Sequence, residues 1–175
     1  MKRLMLVTGG LLLAASGSSL ALAQATPSGV RGDLIAQLDD AGNKLAQLAQ
    51  AIPQDKYSWR PAPGVRSIGE VLMHVTSANY FFAGSVGGRA TPPDTTISDK
   101  RQVAEHVKGA FAHARSVIAG MSDADLDKPT TLMGRPYTYR SVLLLTVTHA
   151  HEHLGQMIAY ARANAVTPPW SMAGN

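Results

Sequence analysis

In four separate stretches of this chain, apolar residues recur every three or four positions, the period of a helix with one buried face. Leu34, Leu38, Ala41, Leu45, Leu48 and Ile52 form the first stripe, closed by Pro53, so a helix is predicted from about Asp33 to Ala51. Ile68, Val71, Leu72, Val75, Asn79 and Phe82 form the second. Ser67 reads as its N-cap, with Glu70 as the reciprocal partner of a capping box and Gly84 near its end. A third helix, capped by Ser98, carries Val103, Val107, Ala110, Phe111, Ala114 and Ile118 and stops at Gly120. The fourth runs from about Ser141 to Asn164, before the Pro168-Pro169 break. Between the third and fourth lies a long connection, Met121 to Tyr139, in which TTLMGRPYTY reads as a small hairpin around Met133-Gly134. Four amphipathic helices with almost no strand pattern predict an all-α fold, an up-down four-helix bundle with a long connection between helices three and four.

What precedes the first stripe has a different character. MKRLMLVTGGLLLAASGSSLALAQA places Lys2 and Arg3 before an apolar run and ends in the small-x-small pattern Ala21-Leu22-Ala23. Residues 1–23 therefore read as a signal peptide and 24–175 as one mature domain, expected in the periplasm or secreted. The alternative is an uncleaved anchor, but Gly9, Gly10 and Ser16 to Ser19 leave the run weakly hydrophobic for a span of about 20 residues. No second run is long enough, so no stable membrane span is expected once the signal is removed.

The chain has no cysteine. That excludes disulfides, thiolate nucleophiles, thiolate metal ligands and lipid attachment to a cysteine. The formal charge of +4 falls to about +2 without Lys2 and Arg3, and no basic run is interleaved with aromatics, so no nucleic-acid partner is expected. There is no G-x-S-x-G, no phosphate-cradling glycine loop and no recognisable Ser/His/Asp order.

The chemistry gathers in THAHEHLGQ, Thr148 to Gln156. On a helix His149 and His153 stack one turn apart, about 5–6 Å at Cβ, whereas His151 points about 200° from His149. Two such imidazoles can hold one transition-metal ion, or they can be packed, hydrogen-bonded core residues. Their place on a stripe with Val142 and Leu145, away from any charged face, argues for a purpose. The helix is not of the H-E-x-x-H type, because Gly155 stands where the second histidine would be. Two ligands hold a metal weakly, and His74, about 100° from the centre of the helix-two stripe, is the best candidate for a third. Three neutral imidazoles suit Zn²⁺, Ni²⁺, Cu²⁺ or Fe²⁺ and leave a position for water or a substrate heteroatom. Gln156 and Glu152 are the candidate auxiliary catalytic groups, with Tyr160 on the same stripe read as packing. His106, His113 and His151 read as boundary residues.

The order YSWRPAPGVRSIGEVLMHV, then a long third helix, then SVLLLTVTHAHEHLGQMIAYARANAVTPPWS, resembles the DinB-like four-helix bundles. Their pattern is one histidine in helix two and H-x3-H in helix four, commonly followed by Gly-Gln. The resemblance spans about Asp33 to Ser171 and maps the metal triad onto His74, His149 and His153, with Gly155-Gln156 as the tail of the motif. Trp59-Arg60-Pro61 resembles the joint before helix two, and Pro168-Pro169-Trp170 the usual ending. Arg66 departs from the pattern, since many relatives carry an aromatic there; so does the export signal. The resemblance implies a divalent metal, often nickel or zinc, and frequent homodimers. Some relatives are thiol-dependent transferases or isomerases, an activity less suited to an exported protein that meets little reduced thiol; others are assigned as metal-dependent hydrolases without known substrates. The expected function is thus an exported metalloprotein acting as a hydrolase or transferase on a small substrate. The alternative is a non-catalytic metal- or ligand-binding bundle.

Overall fold

The first of the four helices, α1 (Gly29–Ala51), buries Leu34, Ile35, Leu38, Ala41, Leu45, Leu48 and Ala49 along one side. The computed structural model describes residues 28–171; the signal segment read at residues 1–23 lies outside the described residues. Helix α1 begins one turn before the predicted Asp33. Arg31 explains the extension: its Nε donates to Asp123 Oδ1 at 2.6 Å and its guanidinium also donates to the Met121 carbonyl, tying the first turn to the segment beyond α3.

Helix α2 (Ile68–Ser85) starts as predicted. The Ser67 side chain accepts from the Glu70 N–H, and Glu70 Oε2 accepts from the Ser67 N–H at 2.7 Å, closing the capping box. Helix α3 (Lys100–Ala119) is capped one residue later than expected, by Asp99 in place of Ser98. The Asp99 carboxylate accepts from the N–H groups of both Arg101 and Gln102 at 3.1 Å, and a charged cap also complements the positive helix end. Ser98 uses its carbonyl to accept from Gln54 Nε2 at 2.9 Å, while Gln54 Oε1 accepts from the Lys100 N–H. Gln54 thereby pins the start of α3 to the end of α1.

The long connection carries a 3₁₀ turn, Asp123–Asp127, and then the expected hairpin, β1 (Pro129–Leu132) antiparallel to β2 (Arg135–Thr138). Met133 (φ 50°) and Gly134 (φ 75°) are both left-handed, the two-residue turn whose twist matches the strands. Leu132 is buried and Thr130 Oγ1 donates to the Ser85 carbonyl at 2.7 Å, so the hairpin closes over the end of α2. Strand β2 runs straight into α4 (Tyr139–Ala163), capped by Thr138, which starts two residues before the predicted Ser141.

These four helices form the all-α bundle expected. The periodicity did not specify which helices are neighbours. Helices α1 and α2 each pack on both α3 and α4, whereas α1 and α2, and likewise α3 and α4, scarcely touch. Helices adjacent in sequence at each end of the chain are therefore diagonal in space. The joint between α1 and α2 must cross the end of the bundle, and Tyr57 and Trp59 hold it there. Tyr57 is buried, its hydroxyl donating to the Ala49 carbonyl; the Ile68 N–H donates to the Trp59 carbonyl at 3.1 Å. Trp59 also meets Tyr160 of α4 edge to face at 5.3 Å. Because α2 and α4 are neighbours, one histidine of the second and two of the fourth fall within reach of one another.

Candidate metal centre

Helix α2 contributes His74 from the margin of its buried stripe, between fully buried Met73 and Val75. Helix α4 contributes His149 and His153, one turn apart, flanking buried Ala150. The three rings meet edge to face, with centroids 5.1 Å (His74–His149), 4.8 Å (His74–His153) and 4.5 Å (His149–His153) apart. One ligating nitrogen from each ring lies within 4.8 Å of the other two, and this is the one such cluster of three or more His, Asp or Glu among the described residues. Phe82, on the buried face of α2, closes the inner side at 5.5 Å from the His149 ring.

The hydrogen bonds set the orientation of the nitrogens. His153 Nδ1 donates to Gln156 Oε1 at 2.8 Å, and Gln156 Nε2 donates to the Tyr160 hydroxyl at 2.9 Å. His153 is thereby held as the tautomer whose Nε2 carries a lone pair. The Nε2 atoms of His149 and His74 face each other at 3.2 Å, and His149 Nδ1 is buried without a partner among the described residues. When both rings carry their proton on Nδ1, the two facing Nε2 lone pairs oppose each other, and an ion between them would accept both; His149 Nδ1 keeps no partner among the described residues in either case. Two nitrogens bound at about 2.1 Å to one tetrahedral ion sit about 3.4 Å apart, close to the spacing found. The donor set fits a divalent transition metal.

Electrostatics favour the neutral rings that such an ion needs. Burial, then the charge of Arg66, then His153 hold His74 below the ordinary histidine range, with Glu152 opposing them. Burial, followed by His153, His74 and Arg66, lowers His149 to about 4. Desolvation and like charge both penalise imidazolium at His74 and His149, so protons compete little with a metal for these two rings near neutral pH.

The site opens to solvent through a cleft lined by Gly64, Val65, Arg66, Glu152, His153 and Gln156. Glu152 is exposed at its rim. The remaining histidines stand apart. His151 Nδ1 donates to the Val147 carbonyl at 3.0 Å, within its own helix. His113 stacks on Tyr80 with centroids 5.2 Å apart, and His106 lies half-buried on α3. Tyr160 packs as expected, 7% exposed, but its hydroxyl also anchors Gln156, which the reading of the stripe had not anticipated. Asn79 was read only as part of the α2 stripe. It is fully buried, and neither side-chain polar atom has a partner among the described residues. An amide among Val75, Phe82 and other apolar stripe positions was the available signal.

The fold recurs in known proteins. A DinB-like protein from Bacillus cereus ATCC 10987 superposes with a TM-score of 0.72 at 18% identity, over 80% of this chain and 95% of that one. The Bacillus subtilis protein YjoA, itself uncharacterised, is 28% identical over 126 residues, 69% of this chain and 81% of YjoA. YfiT, also from Bacillus subtilis and described as a probable metal-dependent hydrolase with an unusual four-helix-bundle topology, superposes with a TM-score of 0.64 at 14% identity, over 78% of this chain and 89% of that one. The sequence profile of the DinB superfamily matches residues 37–157, from the first turns of α1 to the Met157 that follows Gln156. The chain belongs to the DinB superfamily.

Proposed function

We propose that this chain is an exported metalloprotein whose His74, His149 and His153 hold one divalent metal, zinc or nickel, and that it acts as a metal-dependent hydrolase or transferase on a small substrate. The observation that carries the reading is the convergence of three half-buried imidazoles, two of which, His74 and His149, are held below the ordinary histidine range. The description of YfiT as a probable metal-dependent hydrolase supports the same class of chemistry. A metal in this position supplies Lewis acidity, activating water or polarising a substrate heteroatom.

The protein's own groups do the rest. Gln156 fixes the His153 ring through its Nδ1–H and is itself fixed by Tyr160, so the ligand needs little reorganisation on loading. Glu152 lines the same cleft, and its proposed role is to accept a proton from an attacking group and return it to a leaving group. Phe82 excludes water from the inner side of His149. No described helix is long and apolar enough to cross a membrane, and the mature protein is proposed to be periplasmic or secreted after cleavage near Gln24; an intact N-terminus in mass spectrometry of the purified protein would contradict the cleavage. A homodimer is part of the proposal and is read by light scattering.

The test of activity is a panel of small esters, amides and thiol acceptors offered to mature protein loaded with zinc or nickel, and to the same protein after chelation. Turnover that requires metal and falls in Glu152→Gln, with metal retained, supports the reading. Loaded protein that turns over nothing above the blank, and whose only response to chelation is lost thermal stability, overturns the catalytic part in favour of a non-catalytic metal-binding bundle.

A further inference from the structure

Three neutral imidazoles leave the charge of a divalent ion uncompensated, and the open side of the cleft adds another cation, Arg66. Arg66 is exposed and immediately precedes the Ser67 cap, so its backbone is fixed at the start of α2. The carboxylate nearest in sequence, Glu70, is already engaged by Arg60 at 2.9 Å and by the Ser67 N–H at 2.7 Å. Glu152 lines the same cleft yet forms no ion pair with Arg66 among the described residues. The guanidinium thus keeps its donors available to a ligand. It shares the cleft with His153, one of the three imidazoles.

A cation held beside a metal site opposes loading of the metal, since like charges repel. The repulsion is offset when an anion sits between the two. A carboxylate matches a single planar guanidinium fork and carries one charge; a phosphate dianion would meet Glu152 across the cleft with greater repulsion. We propose that Arg66 is the anion-binding subsite of this cleft and recognises a carboxylate on a small substrate whose reacting group faces His74, His149 and His153. This inference rests on the metal-centre reading above. It also accounts for an arginine where the family resemblance predicts an aromatic wall.

The experiment measures, by calorimetry on zinc-loaded mature protein, the affinities of acetate, of the dicarboxylates malonate, succinate and glutarate, and of inorganic phosphate. Wild type, Arg66→Ala and Arg66→Lys are compared after their zinc content is checked. At least one dicarboxylate is expected to bind the wild type and to lose about tenfold or more in Arg66→Ala, with partial recovery in Arg66→Lys, while acetate changes by less than about threefold. Equal losses for acetate and dicarboxylates, a dicarboxylate loss under about threefold, no dicarboxylate binding to loaded wild type, or a larger Arg66 dependence for phosphate each overturn this inference and leave the metal centre standing. A wild-type protein that takes up no zinc overturns the metal-centre reading, and this inference with it.

Discussion

His149 is the residue on which most of the site depends. Its ring touches His74, His153 and Phe82, and its buried Nδ1 has no partner among the described residues. Burial and its histidine neighbours lower it to about 4, below the ordinary 6.5. The metal-free folded protein therefore refuses a proton that the unfolded chain accepts between about pH 6.5 and 4, and His74 is shifted in the same direction. Across that window the unfolded state binds more protons, so stability rises with pH and is lost as pH falls. Urea midpoints of chelated protein are expected to drop between pH 6.5 and 4 and to drop less in His149→Phe; equal pH dependence in both proteins would contradict the assignment. Gln156 acts through His153, so Gln156→Ala is expected to weaken metal affinity about 10–100-fold, read by competition with a chromophoric chelator. Gln156→Glu retains an acceptor and should lose less. At this scale the sequence was informative for His149 and His153, because spacing on a helix settles which pair can meet. It said less about Arg66, Asn79 and Tyr160, whose parts depend on which helix they face.

Helix periodicity located all four helices, and the misplacements have local causes. Asp99 displaced Ser98 as the cap of α3 because a carboxylate one residue on takes two backbone N–H groups at once. Arg31 lengthened α1 through contacts some ninety residues away, which no local pattern encodes. The contact between α1 and α3 rests on Gly42, where an added Cβ would lie 2.6 Å from the Phe111 ring and 3.0 Å from its Cβ. Phe111 is buried and cannot swing aside, so Gly42→Ala forces the helices apart. Overpacking of about 1–3 kcal/mol should outweigh the roughly 1 kcal/mol that alanine gains in helix propensity. A lowered urea midpoint with unchanged slope is the expected result, and an unchanged or raised midpoint would show that the contact yields.

For the molecule as a whole, the bundle and the hairpin were legible because each follows from local chemistry: apolar stripes, caps and the Met133-Gly134 turn. The diagonal placement of α1 and α2 was not, since it arises from the crossing joint held by Tyr57 and Trp59. That placement makes α2 and α4 neighbours, and so it is what turns one histidine and a pair into a triad. A metal that binds only the folded bundle adds stability of RT ln(1 + [L]/Kd), about 2.7 kcal/mol at a hundredfold excess over Kd, so chelation should lower the melting temperature. The central claim is tested most directly by metal analysis of purified mature protein beside His149→Ala. One equivalent of zinc or nickel per chain in the wild type, lost in the folded variant, is the result this account predicts. A variant that keeps stoichiometric metal would contradict it.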